Sequence, residues 1–236
     1  MTLFERFHML HRVWRYRLRE EKESIAYLLS QDLLGKTVLD IGANYGIYSY
    51  WMSKKVGKDG KVISFEPQPE LGVFLKDMGK TFHLNNLTVV NKGVSSENGE
   101  LTMIRGKVGS GGAQITKNAD AAPENNERIK VDITTLDDYF KKHSVDSLAF
   151  IKCDVENHEL QVFKGATETL KKYSPTILFE CHHKDAQEGS VFKILENLGY
   201  KGFFIHKGKK ISVDQFEKYP YKKASNTHRN YIFTKA

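Results

Sequence analysis

The stretch Thr37-Val38-Leu39-Asp40-Ile41-Gly42-Ala43-Asn44-Tyr45-Gly46-Ile47-Tyr48-Ser49 restricts the fold more than any other part of the chain. Thr37, Val38, Leu39 and Ile41 form a short apolar, partly β-branched run, the pattern of a buried strand. Asp40 sits at its end, Gly42 and Gly46 follow, and the apolar spacing then turns helical through Ile47, Trp51 and Met52. A strand, a glycine turn and a helix start, in that order, is where an open α/β sheet binds a ligand. Gly42 can take a backbone conformation that other residues resist, and it leaves space for a ligand beside the main chain. The unpaired N–H groups of the helix start can face that ligand.

Asp40 selects the ligand's charge. A carboxylate at the mouth of a phosphate cradle would repel pyrophosphate, but it would hold an ammonium group well. The spacing Gly42-Ala43-Asn44-Tyr45-Gly46 is also G-x-x-x-G, not the dinucleotide pattern G-x-G-x-x-G. A cationic nucleoside such as S-adenosyl-L-methionine therefore fits better than NAD. The next strand, Lys61 to Phe65, ends in Glu66-Pro67. An acidic residue closing the second strand of such a unit commonly binds ribose hydroxyls.

Size and composition narrow the class. With 236 residues, 40% of them hydrophobic and 28% charged, the chain can bury one large α/β core. No apolar run approaches the roughly 18–20 residues that a membrane span needs. The N-terminus lacks the basic-then-apolar order of a secretory signal. Cys153 and Cys181 provide neither metal-ligand spacing nor a disulfide framework, so a cytoplasmic location is expected. The net charge of +7 is matched by residues 201–236, which hold nine Lys/Arg and two Asp/Glu. Basic residues interleaved with Phe203, Phe204, Phe216, Tyr219, Tyr221 and Tyr231 can bind RNA. They also suit a twisted terminal strand pair with a lysine-rich solvent face, where lysine blocks edge-to-edge pairing. The second reading is preferred, and nucleic acid is disfavoured as a partner.

Residues 3–34 read as helix, with Leu3, Phe7, Leu10 and Trp14 as one amphipathic stripe and Ile25, Leu28 and Leu29 continuing it. Arg6, Arg12, Arg15, Arg17 and Arg19 are assigned to the opposite face. Such a helix can lie on an anionic surface or dock on a partner; docking on the chain's own domain or on a sister subunit is expected first, which leaves a homodimer through this helix open. Residues 1–34 are thus a helical extension, and 35–236 form the main domain. Glu70 to Lys80 reads as helix and Leu87 to Asn91 as a third strand, whose exit puts Asn91 or the 93–95 backbone near a purine. Residues 105–128, rich in Gly and Asn, have little that could build a core and are expected to be a lid over the acceptor side. Ile129 to Ile133 alternates as a strand, and Thr135 caps a helix through Leu136, Tyr139 and Phe140. Leu148 to Cys153 and Pro175 to Phe179 are the fourth and fifth core strands. Helices through Leu160–Leu170 and Val191–Leu198 follow them, and strands at 201–206 and 230–234 complete the sheet.

Parallel strands present ligands at their carboxyl ends. There the fourth and fifth strands contribute Asp154, Glu156, His158, Glu180, His182 and His183. Two mechanisms fit this cluster. His158, His182 or His183 is a general base that takes the proton of an acceptor hydroxyl. Alternatively Asp154 and Glu180 hold a divalent cation that lowers the pKa of a coordinated hydroxyl.

The motifs Asp40-Ile-Gly-Ala-Asn-Tyr-Gly, Phe65-Glu66-Pro67, Thr134-Thr135-Leu136-Asp137-Asp138 and Ile151-Lys-Cys-Asp-Val-Glu156 with Gly165-Ala166 resemble those of FkbM-type S-adenosylmethionine-dependent methyltransferases. Val89-Val90-Asn91, Val94-Ser95 and Leu178-Phe179-Glu180 match as well, so the resemblance spans about residues 35–183. It implies a class I (Rossmann-like) α/β methyltransferase fold: a doubly wound, mostly parallel seven-stranded sheet with one antiparallel strand, plus the extra N-terminal helix. It also implies methyl transfer to a hydroxyl of a sugar, glycan or small natural product. The cofactor set expected is Asp40, Gly42, Ala43, Asn44, Tyr45, Gly46, Glu66, Pro67, Asn91, Val94, Asp154 and Glu156. Asp154 is expected beside the methionine moiety and the methyl group, and the catalytic set is Asp154, His158, His182 and His183. Asn157 stands where the family usually has Gly, and Ser49 stands where it often has Thr. The alternatives are an RNA methyltransferase using the basic C-terminal region and a catalytically silent cofactor-binding module.

Overall fold

A computed structural model describes residues 1–110, 112–116, 125–219 and 228–235. The chain opens with α1 (Leu3–Arg15), a π-helical turn (Tyr16–Glu20) and α2 (Lys22–Ser30). Then come β1 (Thr37–Ile41), α3 (Ile47–Val56), β2 (Lys61–Phe65), α4 (Pro69–Thr81) and β3 (Leu87–Val90). β4 (Gly93–Val94), β5 (Gly99–Arg105), β6 (Gln114–Thr116) and β7 (Glu127–Thr134) follow, with α5 (Leu136–Lys142) and β8 (Phe150–Cys153) after them. The last part holds α6 (Glu159–Lys164), α7 (Thr167–Tyr173), β9 (Thr176–His182), α8 (His183–Glu188) and α9 (Ser190–Asn197). β10 (Lys201–His206), β11 (Lys209–Ser212), a 3-10 turn (Val213–Lys218) and β12 (His228–Thr234) close the chain.

The main sheet runs β11-β10-β12-β9-β8-β1-β2-β3. β1 pairs in parallel with β2 on one side and with β8 on the other, so Asp40 lies opposite Ser64 and Lys152. Chain order reverses there, which makes it the switch point at which open α/β sheets bind ligands. Side chains alternate across the sheet with period two. Leu39, Ile41, Phe65, Ile151 and Phe179 belong to one apolar cluster. Val38, Val62, Phe150, Leu178 and Ile232 belong to a second, on the other face. β1 and β8 are buried throughout, including the charged Asp40 and Lys152 that interrupt their apolar runs.

The sheet has eight strands where seven were expected. Lys207 (φ 50°) and Gly208 (φ 76°) form a tight turn with two left-handed residues, the geometry of a two-residue hairpin, and fold β11 back on β10. β12 runs antiparallel to β9, and β11 antiparallel to β10, so two strands oppose the rest. β11 carries Lys209 and Lys210 on the exposed edge, where charge discourages a further strand from pairing.

The segment 105–128 was expected to lack a scaffold, but much of its described part belongs to a second sheet, β4-β7-β5-β6. β5 and β7 pair from Gly99↔Ile133 to Arg105↔Glu127. Residues 111 and 117–124 of that expectation, and Tyr221 of the basic region, lie outside the described residues. The helix expected through Leu160–Leu170 is divided at Gly165, where a Cβ would stand 2.0 Å from the Ser95 carbonyl oxygen.

The N-terminal helix is also divided, by the π-helical turn and by Glu21. Met9 and Val13 of α1 and Ile25 and Leu28 of α2 share a core cluster with Trp51 and Met52 of α3. Full burial of each stabilises the contact by roughly 1.5–3 kcal/mol. Leu3, Phe7 and Trp14, the stripe assigned to docking, face outward. α1 is apolar on two sides, and spacing alone does not say which side turns inward.

Candidate active site

A cleft of about 1530 Å³ opens over the carboxyl ends of β1, β2, β8 and β9. Its first half is built by the two turns that the sequence singled out. Gly46 (φ 76°) starts α3 and Asn44 (φ 48°) precedes it, so the loop curls back; the N–H groups of Gly42 and Ala43 bond to the Phe65 carbonyl oxygen and that of Asn44 turns to Glu66. Asn44 N–H donates to Glu66 Oε2 (2.8 Å) and Gln68 N–H donates to Glu66 Oε1 (2.9 Å). Each carboxylate oxygen keeps a lone pair for a ligand hydroxyl. Asp40 is buried and accepts from Ser49 Oγ (2.5 Å), which also lies 2.8 Å from Ser64 Oγ. Ser49, the departure from the family's Thr, keeps the hydroxyl that this bond uses. Burial pushes the Asp40 carboxyl up to about 6 and the Glu66 carboxyl up to about 7, so both gain from a cation placed beside them.

Gly42 has a more specific reason than space for a ligand. Its φ is 77°, and a Cβ there would stand 1.9 Å from the Asp154 carbonyl oxygen, so its bare backbone lets β8 close against β1. Ala43, Asn44, Tyr45, Pro67, Val94 and Glu156 line the cleft as expected of them in position, together with Asp40, Gly42, Glu66 and Asp154. Gly46 is not among the lining residues; a Cβ on it would meet Leu75 and Met78 instead. Asn91 is also turned away. Its side-chain amide donates to the carbonyl oxygens of Glu66 (2.7 Å) and Gln68 (3.3 Å), and Gly93 and Val94 take the place by the cleft.

The described residues 105–110 of the segment expected to be a lid lie beside this first half. Arg105, almost fully buried, donates to Glu70, Glu127 and Gln68. Gln68 Oε1 also accepts from Gly109 N–H (3.1 Å), and Gly109 rests on the Tyr45 ring, where a Cβ would come within 2.4 Å. The hydrogen bonds to Arg105 hold Glu70 down to about 2. Sequence placed this segment by chain order alone; the second sheet brings its described part against Gln68 and Tyr45.

The second half of the cleft is made by β8, β9 and β12. Lys152 is buried, and its Nζ lies 3.4 Å from Asp154 Oδ2. Burial opposes its charge, but Asp154, Glu180 and Glu21 outweigh that and raise its pKa. Oxygens of Asp154, Glu156 and Glu180 all lie within 4.8 Å of one another, the one such group of acidic, His or Cys donors among the described residues. Three carboxylates suit a hard divalent cation, and Lys152 already neutralises part of their charge. Burial, then the charge of Asp154, pushes Glu180 well above the ordinary carboxylate range; the same causes raise Glu156 to about 7. Glu156 (φ 51°) and Asn157 (φ 71°) are both left-handed. That explains the family's usual Gly after Asp-Val-Glu: the position needs positive φ, and Asn tolerates it best after Gly.

The histidines divide. His158 lies within 2.9 Å of Ser95 Oγ at the start of α6 and is not a lining residue. His183 begins α8 and its ring meets Phe216, outside the cleft lining. His182 stands behind the acids, with Nε2 3.7 Å from Glu156. The histidine that lines the cleft at the acids is His228 of β12, whose Nε2 is 3.1 Å from Glu180 Oε1. Burial, then the nearby His182, lowers its pKa below the ordinary imidazole value and keeps it neutral near pH 7. Sequence reading missed it because β12 pairs His228 with His182 across 45 intervening residues of chain, and no local motif marks it.

α2 and the terminal hairpin wall this half. Glu21 Oε2 accepts from Tyr48 Oη (2.9 Å) and Asn230 Nδ2 (2.8 Å). Gly208 N–H donates to Glu23 Oε1 (2.8 Å). Two ends of the chain are thus joined over one opening.

Residues 40–201 match the model of the methyltransferase FkbM domain. Over 171 residues the chain is 26% identical to the hexuronic acid methyltransferase AglP of Haloferax volcanii, covering 72% of this chain and 66% of that one. It superposes on the methyltransferase FkbM of Methylobacillus flagellatus with a TM-score of 0.51 at 14% identity, covering 84% of this chain and 43% of that one. Aeropyrum pernix fibrillarin, solved with natively bound S-adenosyl-L-methionine, aligns with a TM-score of 0.51 at 12% identity, covering 90% and 74%. The chain therefore spans less than two thirds of the first two relatives' own length, and at these identities the structural likenesses speak for the fold alone.

Proposed function

Because the chain belongs to the FkbM methyltransferase family, we propose that it transfers the methyl group of S-adenosyl-L-methionine to a hydroxyl oxygen of a sugar, glycan or small natural product. Residues 35–236 serve as the methyltransferase domain, with 1–34 as a helical extension. The observation that carries this reading is the His228–Glu180 contact, 3.1 Å, in the same cleft as Asp40 and Glu66. The relative named for hexuronic acid supports the sugar class of acceptor.

The cofactor supplies an electrophilic methyl group on a sulfonium. Glu66 is suited to the ribose hydroxyls, since both its oxygens are already fixed by main-chain N–H groups. Asp40 and Asp154 provide the negative surface that a positively charged ligand needs. His228, held in place by Glu180, accepts the acceptor's hydroxyl proton as the oxygen–carbon bond forms and the carbon–sulfur bond breaks, and the charges of Asp154 and Glu21 favour the resulting imidazolium. Held in line at the acceptor oxygen, this pair makes positioning the main source of rate. A divalent cation, where one is used, would be held by Asp154, Glu156 and Glu180.

The test is calorimetric titration with S-adenosylhomocysteine, with and without magnesium, followed by transfer of labelled methyl to uronic and neutral sugars. Micromolar binding that Glu66→Ala weakens at least about tenfold is expected, from the loss of charge-assisted hydrogen bonds. Binding without transfer to any acceptor would leave the silent module as the better reading, absence of binding would overturn the cofactor assignment, and transfer to RNA in place of sugars would favour the basic C-terminal region as a substrate surface.

A further inference from the structure

α1 carries a second apolar face that none of the described residues covers. Leu3 (68% exposed), Phe4 (80%), Phe7 (65%), Trp14 (47%) and Leu18 (60%) lie along α1 and the π-helical turn that continues it. Met9 and Val13, the buried residues of α1, point the other way into the core. At 3.6 residues per turn the exposed ridge lies opposite that buried side, with Phe4, Phe7, Trp14 and Leu18 spaced three, seven and four residues apart. Arginines border it on both flanks, Arg15 on one side and Arg6 and Arg17 on the other, while Arg12, stacked over the Tyr45 ring, and Arg19 line the cleft. Residues 1–20 hold these five arginines and only two acids, Glu5 and Glu20.

We propose that this face of α1 docks, lying in plane, on an anionic phospholipid bilayer. The helix is 13 residues long, far short of the roughly 20 that a span needs, and no described helix is long and apolar enough to cross a membrane. A helix lying in the interface buries an apolar ridge among acyl chains while cations on either side reach the phosphates. That is the arrangement here. Phe4, Phe7 and Trp14 are the residue types that anchor at such a boundary. Arg17 is stacked over the Trp14 and Trp51 rings, 5.0 and 4.4 Å away, so its charge is held at the ridge's border. A second copy of the chain fits less well, because two such faces brought together set arginine flanks against arginine flanks.

The probe is sedimentation of the full chain with vesicles of equal parts phosphatidylglycerol and phosphatidylcholine, against vesicles of phosphatidylcholine alone. Binding to the anionic vesicles is expected, weakening as salt is raised. Trp14 and Trp51 are the chain's two tryptophans, and Trp51 is already buried, so a blue shift of fluorescence on binding reports Trp14. Phe4→Ser with Phe7→Ser should lower partitioning about a hundredfold or more, roughly tenfold for each ring removed from the acyl boundary. Arg6→Glu with Arg15→Glu should lower it at least about tenfold. All four positions are exposed, and an unchanged circular dichroism spectrum will show that the variants fold. Failure of the unmodified chain to bind anionic vesicles, or equal binding by the Phe variant, overturns the proposal. So does a dimer, formed without vesicles, that the Phe variant dissolves; the face would then belong to a second copy.

Discussion

At the β1–β2 end of the cleft Glu66 is held by main-chain N–H groups of nearby loops, those of Asn44 and Gln68, and Asp40 by the non-titrating Ser49 hydroxyl. At the β8–β9 end the carboxylates are held by titratable side chains, Lys152 on Asp154 and His228 on Glu180. Fixed backbone dipoles keep their charge at any pH and tolerate little movement, which suits a site that must present one shape to one cofactor. Side-chain partners gain and lose protons and admit rearrangement, which suits a site where a proton leaves an acceptor. The cleft thus combines a rigid half and a titrating half, and the division follows the kind of partner each carboxylate has.

The largest effect expected from the titrating half is loss of its base. His228→Ala should lower methyl transfer by about a hundred- to ten-thousandfold while leaving S-adenosylhomocysteine affinity within a few-fold, as read by single-turnover rates and calorimetry. An equal loss of cofactor binding would erase the distinction between the halves. Lys152→Met leaves three carboxylates without their buried cation. It should cost about 2–3 kcal/mol of stability, less than for a fully enclosed pair because Asp154 still meets water. Urea denaturation will measure it, and an unchanged midpoint would mean that the acids are not held by Lys152.

Acidity acts on both halves alike. Asp40 is raised to about 6 and Glu66, Glu156 and Glu159 to about 7, all by burial first. The unfolded chain releases these protons near the ordinary carboxylate values, so between those values and about 7 the folded chain binds more of them. Stability from these groups is therefore complete below the ordinary values and lost as pH rises through about 6–7. The melting temperature without ligand should fall from pH 5 to pH 8, and a cationic ligand should offset the fall. Turnover should run the other way, since His228 must be neutral: the rate should rise with pH through a value below the ordinary imidazole pKa. The smallest effect belongs to His158→Ala. With its ring against Ser95 and outside the cleft, the change should leave turnover within about threefold, and a loss as deep as that of His228→Ala would return His158 to the base's role.

Much of the rigid half is legible in the sequence. Asp40, Gly42 and Glu66 are marked by local order: a strand, its terminal acid, and a turn needing positive φ. Asn91 is misplaced by sequence reading because its residue type suits a purine contact and a backbone cap equally well. That Gly109 rests on Tyr45 and Gln68 is not legible, because chain order cannot tell which side of a sheet an insertion crosses. In the other half, Asp154, Glu156 and Glu180 are readable from their strand ends, yet the histidines are not. His158 and His183 adjoin those ends in sequence, but the helix starts they occupy carry their rings elsewhere.

By itself the sequence determined the alternation of strands and helices, the switch point at β1, and the acidic character of the ligand site. Each of these rests on short-range periodicity and turn chemistry, which act between residues a few positions apart. Only the tertiary structure decided that His228 meets Glu180, that Glu21 joins Tyr48 to Asn230, and which apolar side of α1 turns inward. Those outcomes depend on antiparallel pairing and on packing between distant segments, and a linear pattern carries no record of which distant surface a side chain will find.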